Sequence, residues 1–125
     1  MGTKQEQVVH SYLAALAAGD RDGAAAHYAD DATYSVNAWH HPIVGRDAIR
    51  ADLERQAGHW SDFRYKIINI ASTEDVVFME RIDTVFMFGK DITFHWVGVH
   101  EIDANGKIRA TRDYFDMKEL EAQLT

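Results

Sequence analysis

Apolar residues recur at three- and four-residue spacings between Gln5 and Ala18, at Val8, Val9, Tyr12, Leu13 and Leu16. That period predicts an amphipathic helix, ended by Gly19-Asp20. Asp20 is placed to cap a second short helix from Asp22 to Tyr28, and a third runs from Asp47 to about Gln56 with Ile49 and Leu53 inward. Between them, Ala32 to Val36 reads as a short strand, and Pro42 breaks the chain. Beyond Asp62 the period changes to two. Asp62 to Ile70, Val76 to Phe88, Ile92 to Ile102 and Lys107 to Phe115 read as strands. Gly89-Lys90-Asp91 and Asp103-Ala104-Asn105-Gly106 are their turns, and Asp116 to Gln123 is a closing helix. Helices followed by a strand meander give an α+β class, not a doubly wound sheet. A curved mixed sheet wrapped around the N-terminal helices, leaving a cone-shaped cavity, buries both sets of apolar faces.

No repeat or flexible linker divides the 125 residues, so 1–125 reads as one domain. A chain this short exposes roughly a third of its unfolded surface, enough for one core and one small cavity. Its formal net charge is −7, with acidic residues scattered along it, which is the wrong sign for a nucleic-acid partner. Cysteine is absent, which excludes disulfides, thiolate metal sites and a cysteine nucleophile. The polar start lacks a signal-peptide core, and no run approaches the ~20 apolar residues of a membrane helix, so a cytoplasmic location is the default.

Candidate chemistry lies in the strands. Arg81 and Asp83 are two apart and share a face with Met79, Val85 and Met87, and Asp113 shares one with Thr111 and Phe115. Charges on an apolar face are costly unless paired. Taken alone, the pattern favours a structural ion-pair network, and a surface edge strand also accounts for it. The chemical alternative is an acid–base pair: two carboxylates near one guanidinium can hold different protonation states. Tyr34 and Asn37 close the early strand. By residue type they read as a core aromatic and a turn residue, although a phenol and a carboxamide can also hold a water. The adjacent His40 and His41 lack metal-site spacing, and Trp39 to Pro42 reads as a loop at the pocket mouth. The other histidines are dispersed and receive no role. Candidates for an apolar lining are Met79, Val85, Phe86, Met87, Phe88, Phe94 and Trp96, of which parity admits only some.

Arg81-Ile82-Asp83, followed by Gly98-Val99 and then Arg112-Asp113-Tyr114-Phe115-Asp116, resembles the limonene-1,2-epoxide hydrolase family, within the nuclear-transport-factor-2-like (cystatin-like) cone fold. Tyr34 through Gly45-Arg46-Asp47-Ala48 is also similar, so the likeness spans nearly the whole chain. The resemblance implies Asp113 as general base, Asp83 as general acid, and Arg81 as the bridge between them. It implies that Tyr34 and an asparagine hold the attacking water. The family's asparagine lies two residues after the tyrosine, where this chain has Val36, and Asn37 follows one place later. Assigning Asn37 therefore requires a β-bulge to absorb one residue. The implied reaction is one-step hydrolysis of a small apolar epoxide to a vicinal diol in a homodimer, with no metal or organic cofactor and no nucleic-acid or membrane partner.

Three other readings compete. The opening, Tyr12 through Ala18-Gly19-Asp20 and Ala29-Asp30-Asp31-Ala32-Thr33, also looks like ketosteroid isomerase. Val36 and Gly98, however, occupy the places of that family's aspartate base and oxyanion-hole acid. A polyketide-cyclase-like enzyme would not need the Arg-x-Asp pattern. A non-catalytic binding module would not need three charged groups on an apolar face.

Overall fold

Thr3 starts the first helix by accepting a hydrogen bond from the Glu6 N–H at 3.1 Å, which satisfies one donor of the opening turn. The computed structural model describes residues 2–37 and 41–124. Helix α1 (Lys4–Ala17) buries Val9, Tyr12 and Leu13, the stripe that the three- and four-residue spacing predicts. Helix α2 (Arg21–Ala25) is capped by Asp20, and α3 spans Arg46–Gln56 with Ile49 and Leu53 buried.

Six strands form one sheet: β1 (Tyr28–Val36), β2 (Ile43–Val44), β3 (Ser61–Ser72), β4 (Val76–Met87), β5 (Lys90–Ile102) and β6 (Ile108–Phe115). Their order is β2-β1-β6-β5-β4-β3. Only β1 and β6 run parallel, and the remaining pairs are antiparallel, so the sheet is mixed and curves around α1 and α3. Helix α4 (Met117–Gln123), capped by Asp116, follows β6. Among the described residues, no helix is long and apolar enough to cross a membrane.

Three local expectations change. The second helix stops at Ala25, because Tyr28 opens β1 opposite Ile108 and buries its ring completely. Long-range pairing here overrides a helical local pattern. The β4–β5 turn is Phe88-Gly89, with Met87 paired to Lys90. Both turn residues have positive φ, 53° and 79°, as a two-residue hairpin matched to strand twist requires. Just after Pro42, β2 folds back onto β1 and pairs Ile43 with Tyr34.

Along β4 the side chains alternate as the period of two requires. Val77, Met79, Arg81, Asp83 and Val85 are buried, while Phe78 and Phe86 face outward. The inner face therefore carries an arginine and an aspartate into the same interior as the core.

Candidate active site

Register brings the site together. Asp113 on β6 lies opposite Gly98 on β5, and Gly98 lies opposite Met79 on β4. Arg81 and Asp83 follow Met79 along the same face. On the other flank, β1 runs beside β6 and sets Tyr34 next to Thr111. Arg81, Asp83, Asp113 and Tyr34 thus reach one cavity of about 400 Å³. Leu13, Leu16, Leu53, Trp60, Phe63, Val85, Met87, Phe94, Trp96 and Leu120 supply much of its apolar wall. Of the lining candidates read from the sequence, Val85, Met87, Phe94 and Trp96 line it, Met79 lies in the core, and Phe86 and Phe88 are exposed.

The charged groups are almost fully buried, each at most 4% exposed. Arg81 Nε donates to Asp83 Oδ1 at 2.8 Å. The Tyr34 hydroxyl donates to Asp113 Oδ2 at 3.0 Å. Among the described residues, Arg81 forms an ion pair with Asp83 alone, so the guanidinium does not clasp both acids. Its carbon instead lies 5.6 Å from the centre of the Trp96 ring, within cation–π range. Arg81 Nη1 and Asp113 Oδ1 are buried without a hydrogen-bond partner among the described residues. A purely structural ion-pair network has no use for such atoms, since each unpartnered group costs about 1–3 kcal/mol.

Burial sets the acidities. It raises Asp83 to about 6, against the opposing pull of Arg81 and with a further push from the Asp113 charge. Burial also raises Asp113, while Arg81 and the Tyr34 bond hold it back. Burial disfavours the charged form of Arg81, but Asp113 and Asp83 together more than offset that and keep the guanidinium charged. Two acids raised together beside one fixed cation can hold one proton between them near neutrality. Such a site can accept a proton at one carboxylate and deliver one from the other.

Asn37 sits elsewhere. It ends β1 at φ 55°, and its side-chain carbonyl accepts the Phe115 N–H at 2.7 Å. It borders a more open depression with Glu80, His95 and Tyr114, and is not among the residues lining the cavity that the other four reach. The register shift between β1 and β6 falls between Tyr28 and Thr33, too early to turn Asn37 inward. The structure therefore does not bring Asn37 to the other four residues. Of the segment expected at the pocket mouth, Trp39 and His40 lie outside the described residues.

His100 lines the cavity although no role was read for it. It is 1% exposed, and burial, followed by Arg81 and Arg112, lowers its pKa to about 3, so the ring is neutral. The available signal was parity: His100 is two residues beyond Gly98, on the face that Asp113 approaches.

Residues 3–125 match the family described as the limonene-1,2-epoxide hydrolase catalytic domain. The chain belongs to that family. An epoxide hydrolase of M. tuberculosis, similar to the limonene-1,2-epoxide hydrolases, is 30% identical. That alignment covers 97% of this chain and 89% of the relative, with a TM-score of 0.84. Two more distant structures share the fold. An NTF2-like protein of unknown function from Burkholderia pseudomallei is 19% identical, with a TM-score of 0.86 over 99% of each chain. The epoxide hydrolase/cyclase-like enzyme SalBIII of pyran ring formation in the polyether salinomycin is 16% identical, with a TM-score of 0.82 over 93% of each.

Proposed function

We propose that this limonene-1,2-epoxide hydrolase family member adds water to an apolar epoxide and releases a vicinal diol. The observation that carries the reading is Asp113: one carboxylate oxygen is held by Tyr34, and the other is unpartnered at the floor of an apolar cavity beside the Arg81–Asp83 pair. Asp113 Oδ1 takes a proton from water as the water oxygen attacks a ring carbon. The carbon–oxygen bond of the epoxide breaks, and protonated Asp83 delivers its proton to the departing oxygen. One proton enters Asp113 and one leaves Asp83, so passage of a proton between them resets the site. Arg81 remains charged and limits the build-up of negative charge. Each proton transfer contributes on the order of 10²–10⁴-fold, and orientation in a closed pocket adds more.

The apolar wall favours a hydrophobic ring-bearing or alkyl epoxide, with water as co-substrate. Phe78, Phe86 and Val97 leave exposed apolar surface on the outer sheet face, which supports pairing of two copies there. Sedimentation of the purified chain checks that pairing.

A panel of epoxides with diol detection tests the activity. Excess enzyme in ¹⁸O-water distinguishes the routes, because direct attack labels the diol in the first turnover. Unlabelled first-turnover diol, with the label appearing in Asp113, means that a carboxylate ester formed instead.

A further inference from the structure

Three unpartnered buried atoms converge on one point. A β-carbon added at Gly98 would lie 2.8 Å from His100 Nε2, 3.1 Å from Arg81 Nη1 and 3.1 Å from Asp113 Oδ1. All three atoms lack a hydrogen-bond partner among the described residues. Without a side chain at Gly98, the reacting oxygen of Asp113 and two nitrogens crowd over its backbone, closer than a β-carbon there would allow. Buried polar atoms left unpartnered mark a place for an ordered water.

From this convergence we propose that His100 holds the attacking water, taking the place that the family resemblance reserves for an asparagine. The proposal rests on the hydrolase reading above. A water poised for attack gives one proton toward Asp113 Oδ1 and keeps one lone pair for the carbon. Its other lone pair needs a donor, and Arg81 Nη1 and His100 Nε2 both lie at this point, of which Arg81 is also engaged with Asp83. Asn37 does not line the cavity, and its carbonyl serves Phe115. His100 does line it, from the strand opposite Asp113.

The hydrogen bonds behind His100 accommodate the tautomer that this role needs. The Tyr28 hydroxyl donates to Thr111 Oγ1 at 3.1 Å. Thr111 Oγ1 lies 2.9 Å from His100 Nδ1, and with Tyr28 donating to it, its own proton is free to go to that nitrogen. In the proposed arrangement the single ring proton of neutral His100 sits on Nε2 and points at the water. A lone pair there would instead face the Asp113 carboxylate. Tyr28 and Thr111 are positioning residues: they fix the ring and its tautomer without touching the water.

The test uses the full chain and an epoxide that the wild-type protein opens. His100→Leu removes the donor, and kcat is expected to fall on the order of 10²-fold, as for loss of one preorganised donor. KM should change less than about threefold, because the donor serves water and not the epoxide. His100→Gln restores an N–H and should recover kcat to within about tenfold of wild type. Nitrogen-15 spectra of the unmodified protein should show His100 protonated at Nε2, a readout that does not depend on how the variants fold. Wild-type kcat in folded His100→Leu, or a proton on Nδ1, overturns the role of His100 while the hydrolase reading stands. Absence of diol from every epoxide with the wild-type chain overturns both.

Discussion

Tyr34 and Asp113 are 79 residues apart in sequence and meet through a 3.0 Å hydrogen bond from the phenol to Oδ2. The parallel pairing of β1 with β6 makes the contact, since it sets Tyr34 beside Thr111 and Val36 beside Asp113. With Oδ2 occupied, the carboxylate has one oxygen left for chemistry, and that oxygen packs over Gly98, 3.1 Å from where a β-carbon would stand.

Asp113→Asn and Asp83→Asn should each lower diol formation by about 10³-fold or more with the fold intact, because each removes a proton-transfer step. Wild-type kcat should also decline as pH rises through about 6, where Asp83 loses the proton it must deliver. Steady-state kinetics across pH 5 to 9, with circular dichroism on each variant, check both. Near-wild-type turnover in either variant removes that residue from the mechanism.

Arg81→Lys should lose about 10²-fold in rate. Arginine uses Nε on Asp83 while presenting Nη1 over Gly98, and a single ammonium cannot occupy both places. Rates measured in folded variant protein decide this. Full activity would mean that only the positive charge matters.

Tyr34→Phe and Asn37→Ala should separate. The first frees Asp113 Oδ2 and should lower kcat about tenfold or more. The second should leave kcat within about threefold of wild type and cost about 1 kcal/mol of stability, because the side chain of Asn37 serves the Phe115 N–H. Urea unfolding alongside kinetics tests the pair, and a large kcat loss in Asn37→Ala would return Asn37 to the site.

Gly98→Ala should abolish most activity. The added methyl would meet His100 Nε2 at 2.8 Å and crowd Arg81 Nη1 and Asp113 Oδ1 at 3.1 Å, so these groups must shift. A crystal structure of the variant, with kinetics, would show how far the three groups move. Retained turnover would place the attacking water elsewhere.

Stability should depend on pH in opposite senses at two buried groups. Asp83 is raised to about 6, so its contribution is fully present below the ordinary carboxylate pKa and is lost as pH rises through about 6. His100 is lowered to about 3, so its contribution is present above 6.5 and is lost as pH falls. Between pH 4 and 6 the two slopes oppose each other. In His100→Gln only the Asp83 slope remains, so the stability of the variant relative to wild type should improve by roughly 2 kcal/mol from pH 6.5 to 5. Urea denaturation at both pH values measures this. A constant difference would mean that His100 titrates normally.

Much of this molecule is legible in its chain. Val8 to Leu16 can bury their apolar residues only as a helix, and β4 to β6 alternate strictly enough to set Arg81, Asp83 and Asp113 on inward faces. These features follow from local periodicity, which needs no partner to be read. Other features depend on long-range pairing. Tyr28 left its expected helix because Ile108 offered it a strand partner. Asn37 turned away because β1 ends in a positive φ and the bulge lies earlier in the strand. His100 looked like one dispersed histidine among seven. Only the β5–β6 register puts its Nε2 and Asp113 Oδ1 around the missing side chain of Gly98. Side-chain direction is a local property of a strand, whereas the distance between two side chains on different strands depends on register, which only the assembled sheet determines.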